Sequence, residues 1–146
     1  MDPVGGGCLC RRIRYEYRGE VGPAAYCHCE DCRRCTGSAF NVGVRLEAAG
    51  FRVLLGEPKT FTKTADSGHS LTRHFCTDCG SPIYTSSPRH PTFVYVKAGS
   101  LDDPTIVKPA YQSWTSSAVT WAFIPSGLSS YEKGQGNQRL ESGGNA

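Results

Sequence analysis

The chain has 146 residues, a formal charge of +3 and an apolar share of 38% before its 17 glycines are counted. That length fits a single domain, and no apolar stretch approaches the roughly 20 residues of a membrane-spanning helix, which predicts a soluble chain with no membrane partner. Basic residues are scattered apart from Arg11-Arg12, Arg14 and Arg33-Arg34, a pattern of solvated surface that argues against nucleic acid as a partner.

In chain order, Ile13-Arg14-Tyr15-Glu16-Tyr17 alternates with period two and reads as a strand. Glu30 to Thr36 predicts one short helical turn, stopped by Gly37. Phe51 to Leu55 and Lys59 to Lys63 read as strands flanking a Gly56-Glu57-Pro58 turn, and His69 to Phe75 reads as another. Thr92 to Ala98, with Phe93, Val94, Tyr95 and Val96, is the strongest strand pattern. Val119 to Ile124 predicts a further strand halted by Pro125. No segment shows a long helical period. The reading is a mainly β, small antiparallel fold with at most one or two short helical turns, folded over residues 1–132. Residues 133–146 are rich in Gly, Gln, Asn and Ser and predict a disordered tail.

Eight cysteines carry the chemistry. They fall in three clusters: Cys8-Leu9-Cys10, Cys27-His28-Cys29-Glu30-Asp31-Cys32 with Cys35 beyond it, and Cys76-Thr77-Asp78-Cys79. The start, Met1-Asp2-Pro3-Val4-Gly5, has neither the basic residues nor the apolar run of a signal peptide, which places the expectation in the cytoplasm. There the clusters read as metal ligands rather than disulfide halves. Thiolates one to three residues apart can grip one tetrahedral ion, and zinc is the usual occupant. Cys8, Cys10, Cys76 and Cys79 together make a closed four-sulfur set, the structural type. Cys27, Cys29 and Cys32 make a three-sulfur set with one open position, the catalytic type. Closure of that position by Cys35, or by His28, stays open at this stage. Three thiolates on a divalent ion leave a charge of −1, which suits a soft fourth ligand such as a thiol. Seven thiolates and two zinc ions would cancel the formal +3 of the chain. His28, His74, Tyr15 and Ser38 lie near the ligands and are candidates for moving a proton.

These clusters, with their flanks, resemble the glutathione-dependent formaldehyde-activating enzyme family, which also includes centromere protein V. The matching segments are Gly6-Gly7-Cys8-Leu9-Cys10 with Arg14-Tyr15, then Cys27-His28-Cys29-Glu30-Asp31-Cys32-Arg33-Arg34 with Thr36-Gly37-Ser38, then Arg73-His74-Phe75-Cys76-Thr77-Asp78-Cys79-Gly80. The resemblance covers about Gly6 to Pro125. It implies a zinc-stapled, Mss4-like β fold, with a structural zinc on Cys8, Cys10, Cys76 and Cys79 and a catalytic zinc on Cys27, Cys29 and Cys32. Cys35 sits at a variable position, which favours a spectator thiol. The implied activity is that of a carbon–sulfur lyase or synthase on a small-molecule thiol adduct, with S-hydroxymethylglutathione as the example and glutathione as the thiol. Arg11 stands where members often carry glycine, Gln112 where many carry histidine, and Thr120 where proline is common; these departures spare the ligands and bear on the substrate. The alternatives are a zinc-stapled binding module without chemistry, since fold does not imply function, or a family enzyme acting on another metabolite.

Overall fold

In the computed structural model, which describes residues 2–64, 68–134 and 139–140, the chain forms β1 (Val4–Gly7), β2 (Arg14–Tyr17), β3 (Ala24–Cys27), α1 (Glu30–Thr36), β4 (Asn41–Glu47), β5 (Phe51–Leu55), β6 (Lys59–Thr64), β7 (Ser70–Phe75), β8 (Pro82–Ser86), β9 (Phe93–Lys97), β10 (Pro109–Ser113), β11 (Ser129–Tyr131) and β12 (Arg139–Leu140). The protein is mainly β with one short helix, as its alternating patterns predict. Short 3₁₀ turns at Ala48–Gly50, Ala98–Ser100, Pro104–Ile106 and Thr115–Ser117 add more helical turns than expected. No helix among the described residues is long and apolar enough to cross a membrane. The expected tail lies outside the described residues from 135 onward, apart from the backbone of β12.

The chain divides into two compact units, Met1–Gly22 with Val44–Val107, and Pro23–Gly43 with Lys108–Ala146. In the first, β1, β2 and β5 form a three-stranded antiparallel sheet. A second run of strands follows the order β9-β8-β7-β6, again antiparallel. Alternation decides what is buried. Tyr15 and Tyr17 point to one face of β2, and Ile83, Val94 and Val96 point inward from β8 and β9; all are buried. Each buried tyrosine keeps a partner for its hydroxyl, Ser100 Oγ at 2.7 Å for Tyr15 and the Glu20 carbonyl at 2.8 Å for Tyr17, because an unpaired buried hydroxyl is costly. Gly6 faces this core: a Cβ there would lie 2.3 Å from the Tyr15 hydroxyl oxygen. Tyr15, Phe51, Tyr84 and His74 continue the core as a row of rings, with centroids 5.2, 4.8 and 3.9 Å apart.

In the second unit β10 runs parallel to both β3 and β11, where the sequence suggested antiparallel pairing throughout. Period-two alternation reports burial and carries no information on partner direction, and parallel neighbours are joined by long crossovers that leave no turn signal. The strand expected over Val119–Ile124 does not form; Ala122 N–H closes a turn onto the Val119 carbonyl at 3.2 Å. β-Branched and aromatic residues favour strands because they pack on a half-buried pleat, and here Trp121 and Phe123 lie exposed. Helix α1 begins with Cys29 as its N-cap, carries Glu30 and Asp31 in its first turn, and ends at Gly37, whose φ of 71° closes the last turn through its N–H to the Arg33 carbonyl.

Candidate metal centres

The first unit gathers Cys8, Cys10, Cys76 and Cys79, with all four sulfurs within 4.8 Å of one another. The Cys8–Cys10 sulfurs are 3.5 Å apart and the Cys10–Cys76 sulfurs 3.7 Å. A zinc–sulfur bond of about 2.3 Å in tetrahedral geometry calls for edges of roughly 3.8 Å, so these separations suit an ion. All eight cysteines are free thiols. Two tight turns present the sulfurs. In one, Arg11 N–H bonds to the Cys8 carbonyl and Cys8 N–H to the Ile13 carbonyl; in the other, Gly80 N–H bonds to the Cys76 carbonyl with Gly80 at φ 74°. The turns also aim donors at sulfur. Ile13 N–H reaches Cys8 Sγ at 3.2 Å. Leu9 N–H donates to Ser81 Oγ at 3.1 Å, which leaves the Ser81 proton for Cys79 Sγ at 3.2 Å. That hydroxyl helps hold the Cys79 thiol down at about 5. Such donors favour the thiolate, the form that binds metal.

The second unit gathers Cys27, Cys29 and Cys32, again within 4.8 Å. Cys27 ends β3, Cys29 caps α1, and Cys32 lies in its first turn with its N–H on Cys29 Sγ at 3.3 Å. Hydrogen bonds from Cys29 and then Cys32 push the Cys27 thiol down to about 3, with help from Ser113; the bonds to Cys27 and Cys29, with burial, push Cys32 up. One thiolate forms readily, and further ionisation meets like charge in a buried setting. A divalent cation supplies the missing counter-charge, so this donor set also fits a metal.

Cys35 and His28 do not join the three sulfurs. The Cys35 thiol lies exposed and contacts the Cys32 carbonyl at 3.5 Å. His28 alternates away from its neighbours and is 1% exposed. Its N–H bonds to the Ser113 carbonyl at 3.1 Å. Its Nε2 lies 3.0 Å from Gln112 Oε1, Gln112 Nε2 donates to Ser130 Oγ at 2.8 Å, and Ser130 Oγ donates to the Leu128 carbonyl at 3.3 Å. The carbonyl at the far end can only accept, so each group upstream must donate toward it. That direction fixes His28 as the Nε2–H tautomer and leaves Nδ1 an acceptor, buried with no hydrogen-bond partner.

The remaining proton-transfer candidates separate by unit. Tyr15 is pushed up to about 12 by burial and is engaged with Ser100, and His74 stacks on Tyr84 with Nε2 on Ser86 Oγ at 2.9 Å; both belong to the first unit. Ser38 is exposed just beyond α1, its N–H on Thr36 Oγ1. Gln112, Ser113 and Ser130, which surround the three-sulfur turn, carry no motif. Their partners lie across 84 positions for His28–Gln112, and only strand register brings them together.

The family described as glutathione-dependent formaldehyde-activating enzyme matches this chain over residues 3–117. A Halomonas elongata protein named as a glutathione-dependent formaldehyde-activating enzyme is 27% identical over 104 residues, covering 66% of this chain and 64% of its own length. The chain therefore spans less than two thirds of that relative. A crystal structure of a Rhodobacter sphaeroides protein superposes with a TM-score of 0.59 at 18% identity, over 75% of this chain and 99% of that one, and shares the fold. With the match spanning all three cysteine clusters, the chain belongs to the glutathione-dependent formaldehyde-activating enzyme family.

Proposed function

We propose that this chain is a zinc-dependent enzyme that makes or breaks a carbon–sulfur bond in a small thiol adduct of the S-hydroxymethylglutathione type. The observation that carries the reading is the three-sulfur group of Cys27, Cys29 and Cys32, which Cys35 and His28 do not complete. A zinc ion held there would supply an electrophilic position for the adduct's sulfur, easing departure of the thiolate. The four-sulfur group of Cys8, Cys10, Cys76 and Cys79 is the structural counterpart, saturated by protein ligands.

The chain's own residues do the positioning. The Gln112 amide holds the His28 ring, and Ser113 takes the His28 N–H on its carbonyl. The turn bearing three ligands is thereby pinned at its centre to β10. The Ser113 hydroxyl bonds to Cys27 and offsets charge on that sulfur.

Cobalt substitution gives the test, because its visible bands report the ligand set. Titrating glutathione and a small panel of other thiols should change the bands of the parent protein. No change is expected for Cys29→Ser, which lacks the second site. If no thiol perturbs the parent spectrum, carbon–sulfur chemistry is excluded here and a zinc-stapled binding module takes its place.

A further inference from the structure

The first unit holds a cavity of about 530 Å³. It lies between the turn that follows β1, through Cys8 to Arg14, and the segment from Lys97 to Asp102 at the end of β9. That volume is in the range of pockets that take small organic molecules. The wall has two characters. Leu9, Pro82 and Leu101 supply apolar surface, while three cations, Arg11, Arg14 and Lys97, stand against one carboxylate, Asp102.

Partners decide which cation is available. Arg14 is taken up by its two-pronged pair with Asp102. Arg12, which does not border the cavity, pairs with Asp78 at 3.4 Å. Lys97 is only 8% exposed and engaged elsewhere in the fold. The Arg11 side chain makes no hydrogen bond or ion pair among the described residues. Its charge still reaches the cavity: after the Arg14 hydrogen bond, Arg11 adds to the pull that holds the Asp102 carboxyl below its ordinary value. Arg11 also keeps φ 66°, with its N–H on the Cys8 carbonyl at 3.2 Å. Backbone strain of this kind concentrates at ligand sites.

The neighbouring sulfurs limit what can bind. Cys8 forms part of the wall, and four thiolates on a divalent ion would leave two negative charges beside it. Ile13 N–H on Cys8 and the Ser81 hydroxyl on Cys79 offset that charge. One carboxylate can balance Arg11, whereas a polyanion would meet repulsion.

We propose that this cavity binds a small organic monocarboxylate, its carboxylate on the Arg11 guanidinium and its organic body against Leu9, Pro82 and Leu101. A guanidinium fork matches the two oxygens of a carboxylate, and the apolar wall rewards a hydrocarbon body. The site lies wholly in the first unit and is independent of the thiol chemistry proposed for Cys27, Cys29 and Cys32.

The test is calorimetric titration of the zinc-loaded chain with benzoate, benzyl alcohol and inorganic phosphate. Benzoate should bind about tenfold more tightly than benzyl alcohol, the difference expected from one charge-assisted hydrogen bond, and more tightly than phosphate. In amide spectra benzoate should shift Leu9, Ser100 and Leu101. Arg11→Gly should lower benzoate affinity about tenfold and leave benzyl alcohol binding and zinc content unchanged; glycine suits the left-handed backbone, so the variant keeps the fold. Benzoate binding should persist in Cys29→Ser, which lacks the three-sulfur group. Equal binding of benzoate and benzyl alcohol, or of benzoate to the parent and Arg11→Gly, overturns the proposal. Phosphate binding as tight as benzoate overturns it by marking a general anion surface. Zinc loss from Arg11→Gly overturns it by assigning the arginine to the thiolate charge. Benzoate binding that vanishes in Cys29→Ser overturns it by placing the carboxylate on the second metal.

Discussion

Arg11 sits at φ 66° in the turn between Cys8 and Ile13, a conformation that costs an L-residue roughly 1–2 kcal/mol. The strain explains why a glycine suits this position. Arg11→Gly should therefore stabilise the fold by up to about 1 kcal/mol, since relief of the Cβ clash outweighs the extra freedom glycine gives the unfolded chain. Denaturant titration of both proteins checks this; a lower midpoint for the variant contradicts it. Gln112 predicts the opposite sign. Its replacement by Ala leaves the His28 Nε2–H buried and unpaired, which should cost about 1–3 kcal/mol and lower the melting temperature. The grouping of the cysteines was legible residue by residue, because C-x-C and C-x-x-C spacings bring sulfurs together within one turn of backbone. The bonds of Gln112 to His28 and Ser130 were not, because a hydrogen bond between residues on different strands leaves no local pattern.

At the scale of elements, β2 and the segment after β9 are joined by Arg14, whose guanidinium forms a two-pronged ion pair with Asp102. The pair pulls the Asp102 carboxyl below its ordinary 3.8, mainly through the Arg14 hydrogen bond. A depressed carboxylate contributes stability that is fully present above the unfolded value and is lost as pH falls through the folded one. Acid titration of stability should therefore show a loss below about pH 4, small because Asp102 is half exposed. Asp102→Asn should flatten that part of the curve; an unchanged slope shows that other carboxylates set it. Strands with one buried face, such as β2 and β9, could be read from alternation. Strands β3, β10 and β11 could not, since Ala24-Ala25-Tyr26 is too short and too uniformly apolar to show a period and Ser129-Ser130-Tyr131 is too short and too polar. Val119–Ile124 erred the other way: its strand-like composition belongs to an exposed loop.

For the whole molecule, the proposed function implies a division of labour, one cysteine group holding the chain and the other serving the chemistry. Structural zinc contributes roughly 10–16 kcal/mol of apparent binding energy, against a typical domain stability of about 5–15 kcal/mol. Cys76→Ser should thus abolish cooperative folding, whereas Cys29→Ser should leave a cooperative melt and one bound zinc per chain. Equal unfolding of the two variants, measured by circular dichroism with metal analysis, refutes the division. The separation of Cys10 from Cys76, 66 positions along the chain, also has a consequence in time. Cys27, Cys29 and Cys32 come together within six residues, a closure that costs little chain entropy, while the four-sulfur group must wait for a long loop to close. Refolding in the presence of zinc should proceed by early capture at the short segment and late capture at the distant pair. An ion seized early by Cys8 and Cys10 alone would recruit the wrong sulfurs, so excess zinc should slow refolding instead of speeding it.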